Sequence, residues 1–233
     1  KIRTFVSEEN LNGKREMNLN KQVIFIIFCW FTLLSANAND GSNLSLRFTL
    51  SKKVWKNLSV QVEEDLRTTS DFHTAQWLLS IAEVNYQFHP MLKGGVGYTN
   101  LANFLDSRET RNRYYFYLNG KYSVSNFRFS LVERFQSTYK RHSSEPNNYL
   151  RSKLTIGYTI KKLKLEPFAY AEPFNNAGCN GKLKLDRIRF SGGLNYKING
   201  KNTLQFYYRY HVFKRFDPVN YLHALGIVYK LQL

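Results

Sequence analysis

Cysteine is nearly missing from this 233-residue chain, which has only Cys29 and Cys179. Cys29 lies in an apolar leader, so the remaining chain keeps one thiol. That excludes an internal disulfide and a cysteine-bound structural metal. Carboxylates are scarce too, with 17 Asp and Glu against 34 Lys and Arg and a net charge of +17. No apolar run approaches the roughly 20 residues of a membrane-spanning helix. The chain has no Gly-rich phosphate loop, no metal-ligand spacing, no heptads and no G-x-S-x-G serine. Nucleotide, zinc and coiled-coil chemistry therefore lack their signatures, and no cofactor or metal is expected.

The basic excess raises the question of nucleic acid. Its distribution answers against it, because the cations alternate with aromatic residues rather than forming a patch or tail. Residues 1–16 are polar, do not begin with Met, and read as an upstream extension. Residues 17–38 read as a secretory signal peptide: Met17, basic Lys21, the apolar run 23–34, then Ala36-Asn37-Ala38 as a small-x-small cleavage site. Residues 39–233 are left as the mature domain.

What that domain contains in quantity is alternation. Ile188, Phe190, Gly192, Leu194 and Tyr196 alternate with polar residues, and Leu204, Phe206, Tyr208, Tyr210 and Val212 do so again. A period of two marks β-strands with one apolar and one polar face. Ile198-Asn199-Gly200 between them is a hairpin signal. A three-residue loop with Gly200 left-handed would pair Lys197 with Lys201, Leu194 with Leu204, Phe190 with Tyr208 and Ile188 with Tyr210.

The pattern recurs. The triplets Tyr86-Gln87-Phe88, Tyr122-Ser123-Val124, Tyr158-Thr159-Ile160, Tyr196-Lys197-Ile198 and Tyr229-Lys230-Leu231 each close a strand before a tight turn or the terminus. Strands are expected at 44–51, 58–67, 77–88, 91–100, 112–123, 126–137, 149–160, 163–173, 186–197, 202–213 and 221–232. Short and long links alternate between them. Such length and layout predict an all-β fold, an antiparallel up-and-down transmembrane β-barrel of 10–12 strands. Since bacterial barrels generally have even strand numbers, either ten strands close or twelve do. Tyr86, Tyr122, Tyr158, Tyr196 and Tyr229 would form an aromatic girdle at the periplasmic interface. Leu225, Ile227, Tyr229, Leu231 and Leu233 line one face of the last strand. This is the form of terminal strand that barrel-assembly machinery recognises.

Several short motifs accompany this pattern. They are Glu109-Thr110-Arg111, Glu133-Arg134-Phe135, Leu150-Arg151, Glu172-Pro173-Phe174-Asn175, Asp186-Arg187 before Gly192-Gly193, and His223-Ala224-Leu225. In order and spacing they resemble the domain-of-unknown-function 2490 family of small outer-membrane β-barrels, across essentially all of the mature chain. The resemblance implies an outer-membrane location in a Gram-negative cell and no established activity.

If the aromatic row faces lipid, the polar row lines the lumen. By parity it carries Arg47, Arg67, Lys93, Arg113, Lys121, Arg128, Arg134, Arg151, Lys153, Lys164, Arg187, Arg189, Lys197, Arg209 and Lys230. Against them stand Glu63, Asp65, Glu83, Glu166 and Glu172. Two readings follow: an ion-paired plug, or a hydrated, porin-like, anion-favouring pore. An enzyme acting on lipid acyl chains is the rival class, with His211 and His223 as the pair able to meet near the outer rim; His73, His89 and His142 fall in turns and loops. No catalytic residue is assigned, and a non-enzymatic barrel is expected. A third class is an adhesive barrel acting through the loops 101–111, 138–148 and 174–185. The expected partners are outer-membrane lipids, lipopolysaccharide and the assembly machinery, with no nucleic acid and the oligomeric state open.

Overall fold

The computed structural model describes residues 42–69, 72–141, 143, 145–178, 182–214 and 220–233. The upstream extension, the signal peptide, Cys29, Cys179 and His142 lie outside the described residues. The rest is built from eleven strands: β1 (Ser42–Lys53), β2 (Leu58–Thr68), β3 (Ala75–His89), β4 (Leu92–Asn103), β5 (Arg111–Val124), β6 (Phe127–Lys140), β7 (Asn147–Tyr158), β8 (Leu165–Ala177), β9 (Leu183–Lys197), β10 (Asn202–Phe213) and β11 (Asn220–Gln232). Each is 11–15 residues long, beyond the usual soluble strand.

The strands hydrogen-bond in sequence order and close into a barrel. Neither ten nor twelve strands close, as the even-number argument expected, but eleven. An odd count sends β1 and β11 the same way, and they pair in parallel from Ser42 against His223 to Ser51 against Gln232. Every other pairing is antiparallel.

Short turns gather at one end of the barrel. Val124 pairs with Phe127 across a two-residue turn in which Ser125 is left-handed, at φ 54°. Between β7 and β8 the link is longer than expected, with a 3-10 turn at Lys161–Leu163. The Asn199 turn also differs from expectation. Lys197 pairs with Thr203, Leu194 with Phe206 and Phe190 with Tyr210, two residues along from the predicted register. Gly200 is not left-handed. Instead the Asn199 carboxamide oxygen accepts from the Lys201 and Asn202 amides at 2.9 and 2.8 Å, closing a wider loop. A shift of two leaves both faces as they were.

β8 does not end at Pro173 but runs on to Ala177. Proline has no N–H to donate, and the β7–β8 ladder skips Ser152 and Lys153 opposite Glu172 and Pro173 before resuming at Arg151 and Phe174.

The pleat sorts the residues by face. Leu46, Phe48, Val62, Val84, Val96, Phe116, Leu118, Phe129, Leu131, Leu154, Ile156, Phe190, Phe206 and Ile227 are exposed on the outside. Arg47, Glu63, Glu83, Arg113, Arg134, Arg151, Glu172, Arg189 and Arg209 face inward. The fold is a barrel turned inside out relative to a soluble one, with charges at its centre and a hydrocarbon exterior.

Candidate functional site: the barrel lumen

The lumen holds a cavity of about 780 Å³. Its wall follows from parity. Strands that place one arginine inward place every second residue inward, and the eleven rows converge on one volume. Twelve Lys and Arg line it (Arg47, Arg67, Arg111, Arg113, Arg128, Arg134, Arg151, Lys153, Arg187, Arg189, Arg209 and Lys230) against three Glu, namely Glu63, Glu83 and Glu172.

Lys93 lies below this wall, toward the short turns, with its ammonium 5.9 Å from the Tyr117 ring centre. Lys121 is exposed at the same end, and Lys164 and Lys197 are exposed in or beside turns. Tyr86, Tyr122, Tyr158 and Tyr196 are exposed on the outer face near the short turns. Tyr229, on the same face, is half-buried and stacks on Phe48 with ring centres 6.0 Å apart.

Ion pairs hold part of the charge. Asp65 is fully buried and accepts from Arg47 at 2.8 Å, Arg67 at 2.6 Å and the Ser45 hydroxyl at 2.5 Å. Glu172 accepts from Arg151 at 2.6 Å on one oxygen and Arg189 at 3.0 Å on the other. Arg151 also donates to the Gln136 carbonyl oxygen at 2.7 Å. Glu166 pairs with Arg128. Glu83 takes the Tyr115 and Tyr117 hydroxyls at 2.8 and 3.0 Å and lies 3.9 Å from Arg134. Among the described residues, Arg113, Lys153, Arg187, Arg209 and Lys230 have no carboxylate within 4.0 Å.

Aromatic rings carry much of what the carboxylates do not. Phe174, with no exposed surface, has the guanidinium carbons of Arg187, Arg151 and Arg189 at 4.0, 4.3 and 4.8 Å from its ring centre. Arg134 sits 4.2 Å from the Tyr115 ring, Arg209 4.5 Å from Tyr207, and Lys153 5.6 Å from Tyr170. A ring face attracts a cation while remaining uncharged, so it seats an arginine without neutralising it.

These rings were absent from the lumen expected from sequence, which followed charge alone. The signal was present: Phe168, Tyr170 and Phe174 share parity with Glu172, and Tyr115 and Tyr117 with Arg113. Arg111 falls outside the strand expected at 112–123, but β5 begins with it and turns it into the lumen. It lies over Trp77 at 5.2 Å.

His211 and His223 do not meet. His211 lines the cavity, while His223 pairs with Tyr210 on the outer face and its Nδ1 contacts the Tyr208 hydroxyl.

Above the long-loop end, Asp106 caps the turn Ser107–Glu109 by accepting from the Arg108 amide at 3.0 Å. That bond is the first cause holding its carboxyl below the ordinary aspartate range. The Arg111 guanidinium, 2.5 Å from Glu109, does the same for Glu109, with help from Lys140.

Residues 31–222 match the sequence profile of a family described as "Protein of unknown function (DUF2490)". No curated protein matches the chain. Among solved structures, the outer-membrane-expressed OmpT of Vibrio cholerae aligns with a TM-score of 0.40 at 12% identity, over 67% of this chain and 55% of that one. This chain therefore spans about half the length of that protein. The NanC porin gives 0.48 at 15% identity, over 74% and 87%. OccAB4 of Acinetobacter baumannii gives 0.36 at 11%, over 69% and 48%.

Proposed function

The chain belongs to the DUF2490 family of proteins of unknown function, and we propose that it is a non-enzymatic outer-membrane barrel whose lumen is a narrow pore favouring anions. The observation that carries the pore reading is the lining of the 780 Å³ cavity, twelve cations against three carboxylates. Confined like charges repel unless water and counter-ions screen them, and rings of Arg or Lys select anions.

The membrane location is supported by the outer face. Exposed Val, Leu, Ile and Phe side chains recur on every strand but β8, whose outward row is Pro167, Ala169, Ala171 and Pro173, well beyond the scattered apolar residues of a soluble surface. Tyrosines bracket them. Near the long-loop end Tyr98 packs on Tyr114 and Tyr210 on Tyr221, at 5.2 and 5.7 Å between ring centres. Tyr114 and Tyr122 stand eight residues apart on β5, as do Tyr221 and Tyr229 on β11. Eight residues rise about 27 Å along a strand and about 21 Å along the axis of a barrel tilted by about 40°. That suits the roughly 25 Å apolar band of an outer-membrane barrel. On this reading the partners are outer-membrane lipids, lipopolysaccharide at the outer tyrosines, and the assembly machinery that inserts such chains.

The test is conductance of the purified protein in planar lipid bilayers under a potassium chloride gradient. A reversal potential set by chloride is expected; a cation-selective channel sinks the reading. One observation favours an ion-paired plug instead, namely Glu172 shared by Arg151 and Arg189 against buried Phe174. Complete absence of conductance would decide for the plug.

A further inference from the structure

The cations are not spread evenly along the lumen. Toward the short turns lie Lys93, Lys121, Lys230 and Arg128, the last paired with Glu166. Toward the long loops, β9 projects Arg187 and Arg189, the adjoining β10 projects Arg209 and His211, and β5 projects Arg113. His211 pairs across the ladder with Arg189 and is 5% exposed. The Nε atoms of Arg187, Arg189 and Arg209 and the Nδ1 of His211 are buried without a hydrogen-bond partner in the protein. Arg209 itself is 7% exposed.

Two debts therefore coincide in one place: the positive charge of Arg113, Arg187 and Arg209, which no carboxylate within 4.0 Å offsets among the described residues, and buried guanidinium Nε donors with nothing to donate to. A single kind of ligand answers both. An oxyanion accepts from guanidinium forks in the planar geometry they present, and a multiply charged one with several oxygens can serve three or four arginines together. Phe174 helps hold the array in place, because two of these guanidinia, Arg187 and Arg189, lie against its ring.

We infer that the long-loop half of the lumen, at Arg113, Arg187, Arg189, Arg209 and His211, is a binding site for a small multiply charged oxyanion of the phosphate class. This deepens the proposed pore, and rests on its being hydrated and open to small solutes.

The experiment is isothermal titration of the full barrel in detergent with inorganic phosphate, and with chloride at matched ionic strength. Saturable phosphate binding near one per barrel is expected. The double variant Arg187→Gln/Arg209→Gln should weaken it by about tenfold or more, as loss of charged hydrogen bonds implies. The variant Lys93→Gln/Lys121→Gln, at the other end, should leave it unchanged. Should the arginine pair fail to fold by circular dichroism, Arg113→Gln carries the same expectation. Phosphate heats no larger than those of chloride, or equal losses in the arginine and lysine variants, overturn the site. Anion-selective conductance without saturable phosphate binding defeats the site and leaves the pore. Saturable binding in a non-conducting protein defeats the pore and upholds the site.

Discussion

The Tyr207 hydroxyl donates to Ser45 at 2.9 Å by lying across Gly226. Tyr207 stands on β10, Gly226 on β11 and Ser45 on β1, so one side chain spans the parallel seam. A Cβ at Gly226 would collide with the Tyr207 ring. The same device recurs across the barrel, where Tyr115 crosses Gly97 and Tyr117 crosses Gly95 to reach Glu83 on β3. Gly226→Val should therefore destabilise the barrel by about 1–3 kcal/mol through overpacking. Tyr207→Phe, which keeps the ring and loses the hydroxyl, should cost about 0.5–1.5 kcal/mol. Urea unfolding of the refolded protein measures both. Gly120→Ala is the control, since its nearest neighbour is a backbone oxygen at 4.0 Å, and it should stay within about 0.5 kcal/mol.

Asp65 anchors the same seam. It is fully buried, and it gives Arg67 the one carboxylate that guanidinium reaches among the described residues. Asp65→Asn keeps the shape and removes the charge, leaving Arg67 uncompensated beside Arg47. The expected loss is about 3 kcal/mol or more, since breaking a buried pair strands its partner. Pairing it with Arg67→Gln should recover part of that loss, and a double-mutant cycle by urea unfolding reads the coupling.

All eleven strands were legible, because side chains alternating between hydrocarbon and a charged lumen leave a period of two in the sequence. Residue 187 could be placed inward from that pattern with no coordinates. The closure was not legible. Strand count follows the parity of one weak element, β1, and its parallel ladder with β11 joins residues some 180 positions apart. Register escaped by two at Asn199, where a side-chain amide closes the turn in place of a left-handed glycine, a choice that depends on local geometry. The lumen's arginines could be read from parity. Their seats on Phe174, Tyr115 and Tyr207 could have been read the same way, but an aromatic residue in a polar row looks like an exception until its neighbours are seen.

Acid should loosen the loop over the long-loop end. Arg111 and Lys140 hold the Glu109 carboxyl below the ordinary glutamate range. A folded-state value depressed in this way gives stability that is present above the unfolded value. It is lost as pH falls through the folded one. Protonation releases both cations, so cleavage within residues 104–110 by an acid-active protease should rise below the ordinary glutamate range. Glu109→Gln should show raised cleavage at neutral pH already, read there with a broad-specificity protease active at neutral pH. Equal cleavage of wild type and variant at both pH values would count against the role given to Glu109.

Reversing charge at the short-turn mouth separates a conducting lumen from a plugged one by sign rather than by size. Lys93 and Lys121 lie at that end, outside the Asp65 and Glu172 networks, and Lys121 is exposed. Lys93→Glu/Lys121→Glu changes the local charge by four units without touching a buried ion pair. In a wide channel the effect would be screened within about 8–10 Å at physiological salt. In a lumen that side chains line this closely, two new carboxylates lie within that distance of any passing ion. The expected outcome is a reversal potential moved toward zero or past it, in the direction of cations, with the shift growing as salt is lowered. An unchanged reversal potential at low salt would mean that ions do not pass this mouth, and the conducting path would have to be sought elsewhere.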